Sequence, residues 1–257
     1  MAKRIFSTIL LWVITGVAFF KFGEPAAVLL LVVLSLASQY EFYKLLERMG
    51  RHPFKAFGCT LGVIMIIGPY SVRELAEHHV RDLEAGIIAI TIVACCLRIL
   101  TDRKTEERIE TLGSTLLGLI YIPFMLNFLV RILILPDLEI HGLMLVIWCV
   151  ATAKFCDVGA LLFGKAFGKH LMSPVTSPKK TWEGAIGGVL SSAFLGCALT
   201  YFFADYYPDF LTPLWGTLFA IPIAIISIIS DLVESMIKRN AEQKDSGRFI
   251  PGIGGAF

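Results

Sequence analysis

Eight stretches of this chain are apolar on every side for long enough to cross a membrane, and that constrains its fold more than any other feature. A hydrocarbon core about 30 Å thick takes about 20 residues of helix, and only helices or closed barrels satisfy their own backbone there. The stretches lie near residues 5–22, 25–43, 54–72, 86–101, 112–134, 141–162, 184–204 and 212–232 of the 257. A water-soluble helix would show a polar face every 3.6 residues, and these segments show none. With 56% hydrophobic residues, the expected fold is all-α, a polytopic membrane helix bundle with about eight transmembrane helices. No internal repeat or soluble domain interrupts it. The reading divides the chain into N-terminal transmembrane helices, 1–110, and a C-terminal transmembrane region, 111–257, within one integral membrane unit.

The positive charges give the expected orientation. Lysine and arginine stay on the cytoplasmic side of bacterial and eukaryotic membranes alike. With the N-terminus inside, 18 of the 23 basic residues fall in inside segments, among them Lys44, Arg48, Lys179, Lys180, Lys238 and Arg239. Four fall outside (Lys21, Arg73, Arg81 and Arg131), and Lys154 lies within a span. Both termini are therefore expected in the cytoplasm. The net charge of +2 is segregated by side, which gives no reason to expect a nucleic-acid surface. The six cysteines lie in or beside apolar segments without a C-x-x-C pair and read as packing residues.

Three clusters of charge stand at the ends of the apolar runs, where an unpaired ion is costly. In the first, Asp231, Glu234, Ser235 and Lys238 share one helix face at i, i+3, i+4 and i+7. Such a face suits a divalent cation and a phosphate held together, or equally an interfacial Glu–Lys pair. The second runs from Asp157 and Gly159 to Ser177-Pro178-Lys179-Lys180-Thr181-Trp182-Glu183-Gly184. Ser177 is expected as a helix N-cap with Pro178 at the first helical position, leaving free N–H groups beside two lysines for phosphate. Lys154 and Asp157, three apart, could instead neutralise one another. The third, Lys244-Asp245-Ser246-Gly247-Arg248 with Pro251-Gly252-Ile253-Gly254-Gly255, is polar and glycine-rich and can approach a ligand closely or serve as a linker.

In this order and spacing, the three clusters resemble the phosphatidate cytidylyltransferase (CDP-diglyceride synthetase) family. Ser235, Lys238, Arg239, Lys244, Asp245, Gly247, Ile250, Pro251, Gly254 and Gly255 match or nearly match its signature, and Ser177 to Gly184 strengthens the match. Ile253 stands where the family usually has histidine, and Gly247 falls one place late. The sequence reaches Phe257 just before the family's Asp-x-x-Asp and a final, ninth span. The resemblance therefore suggests a C-terminally truncated form, inactive as it stands, with further acidic metal ligands expected beyond residue 257.

The resemblance implies transfer of a cytidylyl group from CTP to phosphatidate, giving CDP-diacylglycerol and pyrophosphate in phospholipid biosynthesis. It implies Asp231, Lys238 and Asp245 as catalytic residues, with Asp231 a ligand to Mg²⁺ and a second cation as an option. Ser177, Lys179, Lys180, Thr181, Glu183, Ser235, Arg239 and Lys244 would bind substrate. A homodimer in a bacterial inner membrane, its site facing the cytoplasm, is the accompanying expectation. The rival readings are a CTP-dependent lipid kinase, a transporter using Lys154, Asp157 and Asp231, and a non-catalytic lipid-binding protein.

Overall fold

The structure, a computed structural model, describes residues 19, 21–73, 80–102, 107–135, 142–174 and 176–242. The expected first span, 5–22, lies almost wholly outside the described residues, as do Lys244, Asp245 and the rest of the third cluster. Among the described residues, seven helices are long and apolar enough to cross a membrane, so the chain is a multi-pass membrane protein of all-α type. The stretch from 86 to 101, short for a span in the sequence, is the end of a helix of 22 residues. The chain divides into two compact units, Asp137–Arg239 and the remainder.

The first unit contains α1 (Glu24–Arg48), α2 (Lys55–Val72), α3 (Val80–Thr101), α4 (Arg108–Leu119) and α5 (Met125–Leu133). Helix α1 begins after Gly23, whose φ of 57° suits glycine, with Pro25 in the first turn where its missing N–H costs nothing. Between α4 and α5 the helix continues as a π-helical turn, Ile120–Phe124, around Pro123. Proline cannot donate to the carbonyl a turn back and crowds it, and a widened turn relieves both problems.

The core of this unit is built on large side chains of α1. Phe42 and Tyr43 are fully buried, and Phe42 stacks on Tyr121 of the π turn. Tyr43 fits because α2 and α4 present Gly58 and Gly118 to its ring; a Cβ at Gly118 would lie 2.2 Å from Tyr43 Cε1. The Tyr43 hydroxyl donates to the carbonyl of Thr115 (2.8 Å) and accepts from Gln39 Nε2 (3.1 Å), which also reaches the carbonyl of Gly58 (3.0 Å). A phenol buried without partners would cost several kcal/mol, so these bonds fix the register of α1 against α2 and α4.

The second unit contains α6 (Gly142–Phe167), the strands β1 (Leu171–Ser173) and β2 (Ser177–Thr181), α7 (Trp182–Phe202), a short 3₁₀ turn (Ala204–Tyr206) and α8 (Pro213–Asn240). Helices α6 and α7 form an extensively packed pair. Gly184, Gly188, Ser192 and Gly196 recur every fourth residue of α7 and are all buried, a stripe of small residues that lets backbones approach closely. A Cβ at Gly188 would sit 2.8 Å from the carbonyl oxygen of Cys156 on α6, and one at Gly187 2.2 Å from the ring of Phe163. Farther along, Gly196 meets Gly216 of α8, where a Cβ would lie 2.6 Å from the Gly216 oxygen. All six cysteines are free, and Cys59, Cys95 and Cys156 are buried.

Candidate phosphate-binding site

The connection from α6 to α7 is a two-stranded antiparallel hairpin in which Leu171 pairs with Thr181 and Ser173 with Ser177. This corrects the expected N-cap. Ser177 and Pro178 lie in β2, and the helix starts four residues later, where the Thr181 side chain accepts a hydrogen bond from the N–H of Gly184 at 3.1 Å. Threonine is a competent cap, Glu183 adds an acidic group in the first turn, and strand pairing takes up the backbone before it. Lys179 and Lys180 therefore stand on an extended strand, not on a helical N-terminus.

Glu183 holds this hairpin in place. Its carboxylate accepts from the backbone N–H of Lys169 (3.1 Å) and of His170 (3.2 Å), and His170 Nδ1 lies 2.5 Å from its other oxygen. Its oxygens are thus engaged within the protein, tying the chain just before β1 to the first turn of α7.

Lys180 points inward, with its side chain 22% exposed, and its ammonium lies 2.6 Å from Asp231 Oδ2 on α8. No hydrogen bond of good geometry reaches that buried nitrogen, so Asp231 is its electrostatic partner. Around this pair opens a cavity of about 240 Å³, whose polar lining comes from Lys179, Lys180, Thr181, Asp157 and Asp231, and whose apolar wall includes Met172 and Ile228. The structure thus brings together four sequence-predicted residues: Lys179, Lys180, Thr181 and Asp231.

Asp157, which opens the second cluster in the sequence and could instead have paired simply with Lys154, lines the same cavity. Its contact with Lys154 is long, 3.4 Å, and both side chains are well exposed. The sequence signal for it was a carboxylate within an apolar run. Ser177, Glu183, Ser235, Lys238 and Arg239 do not line this cavity. Lys238 pairs with Glu234 one helical turn away, the simpler of the two arrangements open to that face. It lies about 10 Å along α8 from Asp231 at 1.5 Å per residue. Lys244 and Asp245 lie outside the described residues.

Two lysines and two carboxylates lining one cavity of a membrane bundle define a class: a polytopic membrane protein with a charged cavity among its helices. A family comparison makes this more specific. The model of the cytidylyltransferase family matches residues 2–257, and the chain belongs to that family. It is 41% identical over 116 residues to a phosphatidate cytidylyltransferase of Staphylococcus aureus (strain COL), covering 45% of this chain and 43% of that protein. To the phosphatidate cytidylyltransferase of Staphylococcus saprophyticus it is 30% identical over 198 residues, covering 76% and 70%. To that of Synechocystis it is 28% identical over 253 residues, covering 90% and 80%. The matched stretch thus spans less than half the length of the S. aureus relative.

Proposed function

We propose that this protein transfers the cytidylyl group of CTP to phosphatidate, with the cavity at Lys180 and Asp231 as the place where phosphates meet. The observation that carries this reading is the Lys180–Asp231 pair, with Lys179 and Asp157 beside it, in a chain of the cytidylyltransferase family. In such a transfer a phosphate oxygen of the lipid attacks the α-phosphorus of CTP and pyrophosphate leaves with the electron pair of the broken P–O bond. The protein contributes positioning and charge compensation rather than covalent chemistry. Lys179, exposed, and Lys180, drawn inward, are placed to hold phosphate oxygens at two depths of one cavity.

The donor set also fits Mg²⁺. Among the described residues no three acidic, thiol or imidazole groups converge, but Mg²⁺ commonly uses one or two carboxylates and fills its remaining positions with water and substrate phosphate. Asp231 and Asp157 would hold it, and the Lys180 ammonium already supplies positive charge at Asp231. When bound, the ion would offset the charge developing on the leaving group. The site would face the cytoplasm, where CTP is found, and the protein would work in a bacterial inner membrane as a homodimer.

CTP labelled at the α-phosphate tests this directly when the protein carries the Asp-x-x-Asp segment expected beyond residue 257: label should pass into chloroform-soluble lipid and unlabelled pyrophosphate should appear. Transfer of a γ-phosphate label instead would identify a lipid kinase and overturn the proposal.

A further inference from the structure

Beside the polar cavity lies a larger, almost wholly apolar groove of about 600 Å³ between α7 and α8. It has a simple origin. At one end the two helices are in close contact: Gly196 abuts Gly216, and the Ser192 hydroxyl donates to the carbonyl of Ala220 at 3.4 Å. Toward the lysine hairpin they separate. On α7, Trp182, Ala185, Ile186, Val189 and Leu190 follow one another at i, i+3, i+4, i+7 and i+8, so they form one apolar face, turned away from Gly184 and Gly188. On α8, Ile225, Ile228, Ile229 and Leu232 repeat the pattern and wall the other side.

The groove and the polar cavity are continuous, for Met172, Ala185 and Ile228 line both. A phosphate held at Lys180 therefore has an apolar channel opening directly beside it, which matches the form of a glycerophospholipid. The channel is also short. From Trp182 to Leu190 it descends about 12 Å at 1.5 Å per residue, less than the roughly 15 Å of one leaflet. The lining ends where Ser192 and Gly196 bring α7 onto α8.

We propose that this groove seats the glycerol-proximal part of one acyl chain of the lipid substrate, and that Leu190 marks the depth at which chain recognition ends. The proposal rests on the reading of the polar cavity as a phosphate site. The bilayer is as apolar as the groove, so a chain gains little transfer energy by entering; selectivity comes from side-chain fit along the channel. Chain identity beyond Leu190 is therefore not read.

Two exposed positions make a ruler. Ile186 and Leu190 are each 60% exposed, so a larger side chain at either leaves the α6–α7 seam untouched. Ile186 lies about 6 Å and Leu190 about 12 Å below Trp182 along the helix. Binding of dihexanoyl and dioleoyl phosphatidate to the intact protein in detergent, measured by native mass spectrometry, reads the effect as variant against parent for each lipid. Leu190→Trp should weaken dioleoyl phosphatidate on the order of tenfold and leave dihexanoyl phosphatidate within about twofold. Ile186→Trp should weaken both. Phe194→Trp, one turn beyond the groove, should weaken neither. Equal effects of Leu190→Trp on both lipids, or none on either, overturn the proposal. So does a shift from dimer to monomer in either groove variant without loss of lipid, which would make the groove a docking surface for a second copy. Lys180→Gln separates the two readings: if it spares both lipids while the ruler holds, the phosphate assignment fails and the chain groove stands.

Discussion

In the first unit the space between helices is filled, with Tyr43 and Phe42 of α1 wedged between helices that offer Gly58 and Gly118 as sockets. In the second unit the space is removed, as Gly184, Gly188 and Ser192 draw α7 against α6 until no Cβ fits at Gly188. The two solutions leave different things behind. Interdigitated large side chains, with the Tyr43 hydroxyl bonded to both Thr115 and Gln39, hold one register. A pair joined backbone to backbone along one face leaves its other face free, and there α7 and α8 diverge around a cavity. The proposed chemistry lies in the unit whose seam is made by glycine, where the cavity at Lys180 and Asp231 leaves room for a ligand.

The largest effect should come from the cavity. Asp231→Asn keeps the shape, removes the charge opposite Lys180 and leaves a buried ammonium without its counter-ion. Cytidylyl transfer should fall by about 10²–10³-fold, the scale on which losing one charge-stabilising group acts in other enzymes. Normal turnover in the variant would remove Asp231 from the site and, with it, the functional distinction between the units.

Next is the seam. Gly188→Val should cost about 1–3 kcal/mol, because the carbonyl of Cys156 is backbone and cannot rotate away from a new Cβ at 2.8 Å. Thermal unfolding of the purified protein in detergent should show the loss. An unchanged midpoint would mean that α6 and α7 can separate cheaply and that close approach is not what holds the second unit together.

The smallest effect belongs to the first unit. Tyr43→Phe keeps the ring that fills the two glycine sockets and removes the hydroxyl shared by Gln39 and Thr115. The expected loss is about 1 kcal/mol, since polar contacts between membrane helices are individually modest. A loss as large as that of Gly188→Val would show that the polar set, rather than the packed ring, secures the first unit.

Much of this was legible in the chain. Apolar runs of membrane length can only be helices, because a lipid-exposed backbone must bond within its own segment; seven of the eight expected runs correspond to the seven described helices. Lys179, Lys180, Thr181 and Asp231 were chosen as charged or polar groups at the ends of apolar runs, and the structure brings all four to one cavity. The Gly184, Gly188, Ser192, Gly196 stripe stands in the sequence as a four-residue repeat of small residues, but the repeat alone does not say which helix it meets.

Local composition alone fixes the number and class of segments and the residues that carry charge, since burial cost and helix length depend on nothing more distant. Pairing belongs to the fold. Asp231 and Lys180 are 51 residues apart and sit on a helix and a strand, so nothing local joins them. Ser177 looked like a helix cap until strand pairing with Ser173 moved the cap to Thr181. The groove beside the cavity exists because α7 and α8 touch at Gly196 and part toward Trp182, a divergence that belongs to two helices at once.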